Sequence, residues 1–334
     1  MKNTLASSLR LLVASISVLV AAQCFILCTS ARADASTSQP TVVSSQANLT
    51  KIINASIRVK HLPSLVKPSL STLANGGDFG GSLDTSACGY INTNAWKENI
   101  SHCYYGDTKS KVTVALIGDS RASMYLDTFA SLGKQEHFKV LFIAKDGCPA
   151  PLGSYMTNNN GKLGTTVWAA CSSFHSYLIS NLKSIKPRVI VVSSNSTIDL
   201  ANPAHQAAGP EIQADLTAFL SKMPTSSRVL VLGGFPQPAP TSNPTVCLSR
   251  SPSNVSSCGF TPSASTQTDN TAFASAASAA GDVFINQTPW FCTSTCPALI
   301  GNYVPYTADA YHADNSYLMF LSGVLWTSIK RYVG

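Results

Sequence analysis

One serine and one Asp–His pair in this 334-residue chain have residue types and positions suited to nucleophilic chemistry. Ser120 closes a Gly-Asp-Ser motif that follows an apolar run, and Asp309 precedes His312 by three residues. A histidine can accept the proton of a serine hydroxyl, and a carboxylate behind the imidazole fixes the tautomer that does so. The pattern predicts Ser120 as a nucleophile, His312 as its base and Asp309 as the residue that orients the base. A purely structural interpretation makes Ser120 the N-cap of a helix.

Alternating strands and helices must position these residues. Apolar runs typical of strands buried on both faces cover 112–118, 138–144, 188–194, 228–233 and 282–286. Helix-length segments lie at 121–133, 168–185, 209–222, 264–280 and 313–331. This alternation predicts an α/β fold for residues 111–334, a three-layer α/β/α arrangement of the flavodoxin-like kind with a mainly parallel central sheet.

The carboxyl ends of parallel strands are the places where such folds form their sites. Ser120 directly follows the first predicted strand and lies at the start of a predicted helix, and His312 directly precedes the last one. The N–H groups and dipole of a helix N-terminus favour negative charge, including that of a developing oxyanion. The order of the elements therefore supports a site built around Ser120.

The composition excludes several other classes of protein. Charged residues make up 12 % of the chain, against about 25 % in an average protein, and the formal net charge of +7 is not gathered into a basic stripe. We therefore expect no nucleic-acid partner. The chain has neither a Gly-x-Gly-x-x-Gly motif after its first predicted strand nor a Walker lysine motif, so we expect no cofactor, and a Ser–His–Asp mechanism requires no metal.

Residues 1–33 have the pattern of a secretory signal peptide. Lys2 and Arg10 precede an apolar run that extends to Cys28, and Ala-Arg-Ala at 31–33 is typical of a cleavage site. An uncleaved N-terminal anchor is the alternative, because the run is close to the length of a membrane span. We predict a secreted or periplasmic protein, with no stable membrane insertion after cleavage. Residues 34–110 show little periodicity and are predicted to form an irregular N-terminal extension.

The number of cysteines is consistent with an exported protein. Eight remain after residue 33, and an even number in an exported chain indicates disulfides. Pairing in chain order is the simplest hypothesis, although eight cysteines allow about 105 pairings. A zinc site is the rival interpretation, but the irregular spacing does not favour it. The eight are Cys88, Cys103, Cys148, Cys171, Cys247, Cys258, Cys292 and Cys296.

Together these motifs resemble the SGNH (GDSL-type) hydrolase superfamily. The resemblance covers about residues 111–334, and it is closest to the SGNH domains associated with acyltransferase-3 proteins. That branch has a Gly-Cys-Pro element after the second strand, a Cys-Leu-x-Arg element after the fourth, and a Cys-x(3)-Cys pair before a closing Tyr…Asp-x-x-His. The matching residues here are Gly147–Pro149, Cys247–Arg250, the pair Cys292 and Cys296, and Tyr306 with Asp309 and His312.

The resemblance implies roles for further residues. It implies an oxyanion hole formed by the N–H groups of Ser120 and Gly147 and by the side chain of Asn195, although Ser-Ser-Asn-Ser differs from the superfamily's Gly-x-Asn-Asp. Arg121 stands where the branch usually has histidine, and it is expected to contact an anionic substrate or to be solvated. Asp119 is expected to bind backbone groups of its own turn.

The function implied is acyl transfer through an acyl-serine intermediate. The leading hypothesis is an exported serine enzyme, either a carbohydrate O-acyl (O-acetyl) esterase or an O-acyltransferase, which acts on an acylated polysaccharide or another ester. The alternatives are a lipase or general carboxylesterase, and a non-catalytic polysaccharide-binding envelope protein on the same fold. The four tryptophans could stack on sugars, but core packing is the favoured interpretation for each. The sequence predicts no oligomeric state.

Overall fold

Five parallel strands and one antiparallel edge strand form the central sheet of the computed structural model. The structure describes residues 42–75, 81–83, 85, 100–159, 162–196, 209–239 and 242–334. The strands are β1 (Tyr104–Gly106), β2 (Thr113–Gly118), β3 (Lys139–Ala144), β4 (Met156–Asn159), β5 (Lys162–Val167), β6 (Val189–Ser193), β7 (Arg228–Leu232) and β8 (Val283–Ile285). The sheet order is β1–β3–β2–β6–β7–β8, with β1 antiparallel to β3, and β4 pairs with β5 separately.

Helices connect the parallel strands and cover both faces of the sheet. They are α1 (Gln46–Ser56), α2 (Leu70–Ala74), α3 (Ser120–Ser123), α4 (Leu126–Gln135), α5 (Ala169–Ile185), α6 (Gly209–Leu220), α7 (Pro244–Arg250), α8 (Ala264–Ala280), α9 (Thr288–Phe291), α10 (Asn315–Phe320) and α11 (Ser322–Val333). The predicted helix at 121–133 is divided between α3 and α4, and the predicted helix at 313–331 between α10 and α11.

The alternation of side chains along each strand creates two cores. On β2, Val114 and Leu116 face one core, which includes α4, α10 and α11 residues, whereas Ala115 and Ile117 face the other, which includes α5, α6 and α8 residues. Because successive side chains of a strand point to opposite faces, an unbroken apolar run requires cover on both sides. The predicted three-layer α/β/α fold with a mainly parallel sheet is confirmed.

The strand order creates a crevice. Taken in chain order, the five parallel strands have the order 2-1-3-4-5, which is that of flavodoxin-like folds, and the order reverses between β2 and β6. Gly118, at the end of β2, pairs with Ala144 of β3 and Ser193 of β6. The loops after these three strands therefore emerge side by side, at the point where such folds bind their ligands.

The N-terminal segment differs from the expected irregular extension. Ser45 caps α1 by accepting the N–H of Asn48, and Leu49 and Ile53 are buried in the core that contains α10 and α11. Short polar side chains separate the few apolar residues of α1, so its helical periodicity is weak in the sequence. The helix is stabilised by packing against the rest of the domain, which the local pattern does not show.

Three disulfides cross-link the described part of the chain. They join Cys148 to Cys171, Cys247 to Cys258 and Cys292 to Cys296, each to the next cysteine in the chain. Cys103 is buried, and Cys88, its expected partner, lies outside the described residues. The predicted signal peptide at 1–33 also lies outside them. Within the part of the chain that the structure describes, no helix combines the length and apolarity needed to cross a membrane.

Candidate active site

Ser120 lies at the carboxyl end of β2, at the first position of α3. The residue before it, Asp119, is fully buried and caps the helix: its Oδ1 accepts the N–H of Arg121 at 2.8 Å. Its Oδ2 accepts the N–H of Asn195, just after β6, also at 2.8 Å. Asp119 thus ties the ends of two neighbouring strands together and fixes the turn that presents Ser120.

His312 lies in a tight turn just before α10. Asp309 builds this turn, because its Oδ1 accepts the N–H groups of Tyr311 and His312 and the hydroxyl of Thr307. Asp314 then caps α10 by accepting the N–H of Ser316. The turn is therefore held by hydrogen bonds on both sides of the imidazole.

The two segments meet at the crevice. The Nε2 atom of His312 lies 3.0 Å from the Oγ atom of Ser120, and its Nδ1 atom lies 2.6 Å from Oδ2 of Asp309. Because a carboxylate only accepts hydrogen bonds, Nδ1 donates its proton to Asp309, and the unprotonated Nε2 can accept the proton of the serine hydroxyl. The structure therefore brings the three predicted residues together in the order that a nucleophile, a base and an orienting acid require.

The Asp309 carboxyl is stabilised in its charged form. Partial burial alone would raise its pKa, but the hydrogen bond and charge of His312 and the hydrogen bonds from Thr307 and the Tyr311 N–H outweigh burial and hold the pKa well below its usual range. Asp309 is thus a carboxylate at any pH at which the imidazole could act as a base.

The two other predicted oxyanion residues follow strands adjacent to β2. Gly147 lies in the turn after β3 with φ of +68°, and the Lys145 N–H of this turn donates to the Gly118 carbonyl at 3.0 Å. The Oδ1 atom of Asn195 accepts the N–H of Ser196 at 2.8 Å, so the donating Nδ2 end of the amide is the end that remains for a ligand. Both residues therefore lie in the loops that border the crevice.

Arg121 is not solvated. Only 7 % of the residue is exposed, and its guanidinium carbon lies 4.3 Å from the centre of the Phe235 ring. Burial lowers its pKa, whereas the carboxylates of Asp119, Asp309 and Asp269 raise it. Arg121 is thus a buried cation beside Ser120, and three carboxylates lie close enough to act on its charge.

A family model described as the SGNH domain (fused to AT3 domains) matches residues 87–325, more than two thirds of the chain. This chain belongs to the SGNH domain family. The resemblance inferred from Gly118–Ser120 and Asp309–His312 is therefore confirmed, and it places the chain in a family of acyl esterases and acyltransferases. No curated protein sequence matches the chain significantly.

Several solved structures are similar to this SGNH domain. The periplasmic domain of a lipopolysaccharide acetyltransferase from Salmonella ser. Paratyphi A is 13 % identical, with 88 % of this chain and 98 % of that chain covered and a TM-score of 0.51. A putative acylhydrolase from Bacteroides fragilis NCTC 9343 is 11 % identical, covering 70 % and 93 %, with a TM-score of 0.41. A catalytic mutant of an acetylxylan esterase from Geobacillus stearothermophilus is 10 % identical, covering 68 % and 96 %, with a TM-score of 0.37.

Sequence reasoning about the SGNH domain missed some residues of the site. Thr307, which donates to Asp309, stands two residues before it and could have been noticed as a local hydroxyl partner. Asp269, Gln237 and Phe235 border a cleft with Arg121 and carry no local signal. Asp269 lies inside α8, and only the packing of that helix on the sheet brings its carboxylate to the crevice.

One group of potential metal ligands exists among the described residues. Cys148, Cys171 and His175 are buried with their ligand atoms close together. The two sulfur atoms form a disulfide, and Nε2 of His175 lies 2.7 Å from the Pro149 carbonyl oxygen, to which it donates. Because these atoms are already bonded, the group does not fit a metal ion.

The tryptophans of the described residues are buried or partly buried. Trp168 and Trp290 are buried, and Trp326 stacks on Phe138 with ring centres 5.9 Å apart. Trp96 lies outside the described residues. The structure thus favours core packing over sugar stacking for the three.

The Asp119 carboxyl is expected to make the stability of the fold depend on pH. Burial raises the pKa of its carboxyl to about 6, although the N–H groups of Arg121 and Asn195 and the Arg121 charge lower it. In the unfolded chain an aspartate has a pKa of about 3.9, so the folded state holds this proton more tightly. Its contribution to stability is therefore fully present below about pH 4 and is lost as the pH rises through about 6.

In an Asp119→Asn variant, we expect that the fall in folding stability between about pH 4 and pH 6 is absent. The difference between the two pKa values corresponds to a change of about 3 kcal/mol in the free energy of unfolding. Urea unfolding of both proteins between pH 4 and pH 7 measures it, and the stability of the wild type should fall more steeply than that of the variant. Equal slopes in the two proteins would show that Asp119 does not titrate in this range.

Proposed function

We propose that this SGNH domain is an exported serine acyl-transfer enzyme, either a carbohydrate O-acyl (O-acetyl) esterase or an O-acyltransferase. One observation carries the proposal: the Ser120 hydroxyl lies 3.0 Å from His312 Nε2, while Asp309 holds the opposite nitrogen. A binding protein has no need for this arrangement, so the geometry favours catalysis over a non-catalytic envelope role.

The proposed reaction begins when Nε2 of His312 takes the proton of the Ser120 hydroxyl. Ser120 Oγ then attacks the acyl carbon and forms a tetrahedral intermediate, and Asp309 stabilises the imidazolium. His312 returns the proton to the leaving alkoxide as the ester bond breaks, which leaves the acyl group on Ser120. Water or a sugar hydroxyl then gives its proton to His312 and attacks the acyl carbon. His312 returns this proton to Ser120 Oγ as the bond between the acyl carbon and Oγ breaks, which releases the acylated product and restores the enzyme.

The oxyanion requires donors that are in place before the reaction. We assign this role to the N–H groups of Ser120 and Gly147 and to Nδ2 of Asn195, which come from the loops after three adjacent strands. One such donor is worth about 10²- to 10³-fold in kcat. Asp119 supports this arrangement indirectly, since it holds the backbone of Asn195 against the nucleophile turn.

A polar environment favours a carbohydrate ester over a lipid. The cleft beside Ser120 is bordered by the guanidinium of Arg121, the carboxylate of Asp269 and the amides of Asn195 and Gln237. A long acyl chain in this cleft would remove water from charged groups without replacing their hydrogen bonds, which is unfavourable. Sugar hydroxyls can replace those bonds.

Export is supported by two independent features. The signal-like pattern of residues 1–33 precedes the domain, and three disulfides are present among the described residues. Disulfides persist in oxidising compartments and are rare in the cytosol. We therefore place the activity in the periplasm or outside the cell.

The proposal is tested with p-nitrophenyl esters and the purified protein. We expect release of p-nitrophenol from the acetate, a slower rate with the longer octanoate, and an acetyl group on Ser120 detectable by mass spectrometry in rapidly quenched samples. Added sugar acceptors distinguish the two forms of the proposal: an esterase releases free acetate, whereas a transferase produces an acetylated sugar. Faster hydrolysis of octanoate would favour the lipase alternative, and no release above the blank would overturn the proposal.

Replacing Asp309 with asparagine is expected to lower kcat for p-nitrophenyl acetate by about 10³-fold. The amide cannot stabilise the imidazolium, and it can hold the wrong tautomer of His312, which costs about 10⁴-fold in a buried triad. The smaller effect follows from exposure, since 46 % of the Asp309 side chain is accessible to water, which can partly replace the carboxylate. Steady-state kinetics measures the loss, with Asp107→Asn as a surface control, and an unchanged kcat would exclude Asp309 from the triad.

A further inference from the structure

A polar cleft lies beside the candidate nucleophile, where the loops after β6 and β7 meet α8. About 20 Å³ of it is accessible to a water-sized molecule. Its lining includes Arg121, Asn195, Ser196, Phe235, Gln237 and Asp269. This volume is room for about one water molecule, so the cleft suits a hydroxyl-sized group of a larger ligand.

The cleft adjoins both halves of the triad. Arg121, one of its walls, is the residue after Ser120. Gln237, another wall, donates from Nε2 to the carbonyl of Tyr311 at 3.4 Å, and Tyr311 is the residue before His312. A substrate group that occupies the cleft therefore belongs to the part of the substrate next to the reacting ester.

Asp269 is held in place at one side of the cleft. The hydroxyl of Ser196 donates to its Oδ2 at 2.6 Å, which connects α8 to the loop after β6. A carboxylate offers about four acceptor positions. Asp269 can therefore accept hydrogen bonds from a ligand while it keeps the bond to Ser196.

Arg121 lines the same cleft and offers hydrogen-bond donors. Its guanidinium stacks on Phe235, which fixes its plane, and the group carries five N–H donors. Asn195 adds a second donor through Nδ2. The cleft therefore combines a fixed acceptor with fixed donors.

The charges around the cleft decide which ligand fits. Arg121 is the cation, and the carboxylates of Asp119, Asp269 and Asp309 all act on it. An anionic ligand would add a further negative charge to this set, and an acyl chain would remove water from Asp269 and Arg121 without offering them hydrogen bonds in return. A neutral sugar ring has hydroxyls that both donate and accept, so it satisfies both groups without adding charge.

We propose that this cleft is a subsite for the hydroxyl groups of a neutral sugar ring next to the reacting ester, with Asp269 accepting and Arg121 donating. The inference rests on the proposed function and names the substrate class more closely. It also replaces the expected contact between Arg121 and an anionic substrate with a contact to neutral hydroxyls. Asp269 becomes a specificity-determining residue for the sugar, outside the reacting triad.

The test compares wild type with Asp269→Asn on matched substrates. The substrates are mono-O-acetylated methyl glucoside, galactoside and mannoside, the acetylated uronates of the first two, and p-nitrophenyl acetate, which has no sugar. Asparagine preserves the shape and the bond from Ser196 but loses the charge-assisted acceptor, a loss of about 10- to 100-fold in binding. Asp107→Asn, on the protein surface, is the matched control.

We expect the wild type to prefer at least one neutral sugar ester over its uronate. In Asp269→Asn, KM for that ester should rise by at least about tenfold, more than any change in kcat. The ratio of kcat/KM for the sugar ester to that for p-nitrophenyl acetate should fall by a similar factor. The control variant should keep the ratio of the wild type.

Different results overturn the two proposals. If wild type hydrolyses p-nitrophenyl acetate and neutral sugar esters but Asp269→Asn keeps their ratio, the subsite is wrong and the proposed function stands. A preference for uronates, or activity on p-nitrophenyl acetate with none on the sugar esters, also overturns the subsite. Absence of any esterase or transferase activity in wild type contradicts both.

Discussion

Replacing Ser120 with alanine is expected to lower kcat for p-nitrophenyl acetate by about 10⁴- to 10⁶-fold. The variant keeps the oxyanion donors and the cleft, but it has no atom at the position of Oγ, 3.0 Å from His312 Nε2, that can form the acyl-enzyme. The remaining activity should be the small acceleration that binding and the oxyanion donors provide without a nucleophile.

Steady-state kinetics and mass spectrometry together measure this effect. The variant should form no acetylated enzyme, and its folding should be unaffected, because removing one partly exposed hydroxyl creates little cavity. Ser131→Ala is the matched control, since the Ser131 hydroxyl lies on the surface of α4 and accepts from Gln135. Activity of Ser120→Ala close to that of the control would mean that another residue is the nucleophile.

Replacing Gly118 with alanine is expected to destabilise the domain by about 4 kcal/mol or to prevent folding. Gly118 has φ of +145°, and a Cβ atom there would lie 1.9 Å from the Ser193 carbonyl oxygen. The backbone conformation itself costs about 1–3 kcal/mol for any other residue, and the clash with the neighbouring strand adds a comparable overpacking cost. Relief of the clash requires β2 and β6 to separate where they present Ser120 and Asn195.

The Gly281→Ala variant separates the conformational cost of a positive φ from the cost of the steric clash. Gly281 also has a positive φ, +74°, but no atom lies within 4 Å of the position of an added Cβ. This control therefore carries the conformational cost alone, about 1–2 kcal/mol. Urea unfolding and soluble yield compare the two variants. Equal destabilisation would show that β2 and β6 accommodate a methyl group without strain.

Much of the fold could be predicted because the signal is local. The apolar runs at 112–118 and 188–194 correspond to β2 and β6, since a strand buried on both faces must be apolar at every position. Helices α5 and α8 match the helix-length segments predicted at 168–185 and 264–280. Residues 46–56 were harder, because α1 has few apolar residues and becomes stable only when Leu49 and Ile53 reach the core.

The two sequence motifs of the candidate site could each be predicted from the sequence. Gly118–Ser120 and Asp309–His312 are local motifs, and the family they indicate is confirmed by the match over residues 87–325. Their roles in catalysis remain predictions for the kinetic tests. Arg121 was expected to contact an anion or solvent, and the structure buries it against Phe235, because the ring and the surrounding carboxylates come from distant parts of the chain.

The sequence by itself determined the strands, most of the helices, the family and the residues able to act as nucleophile, base and orienting acid. Only the tertiary structure decided that Ser120 and His312, 192 residues apart, lie within hydrogen-bond distance. It also decided that Asp269 and Arg121 line the same cleft. The reason is physical: periodicity and turn motifs depend on near neighbours, whereas these distances depend on strand order and on which helix faces are buried against the sheet.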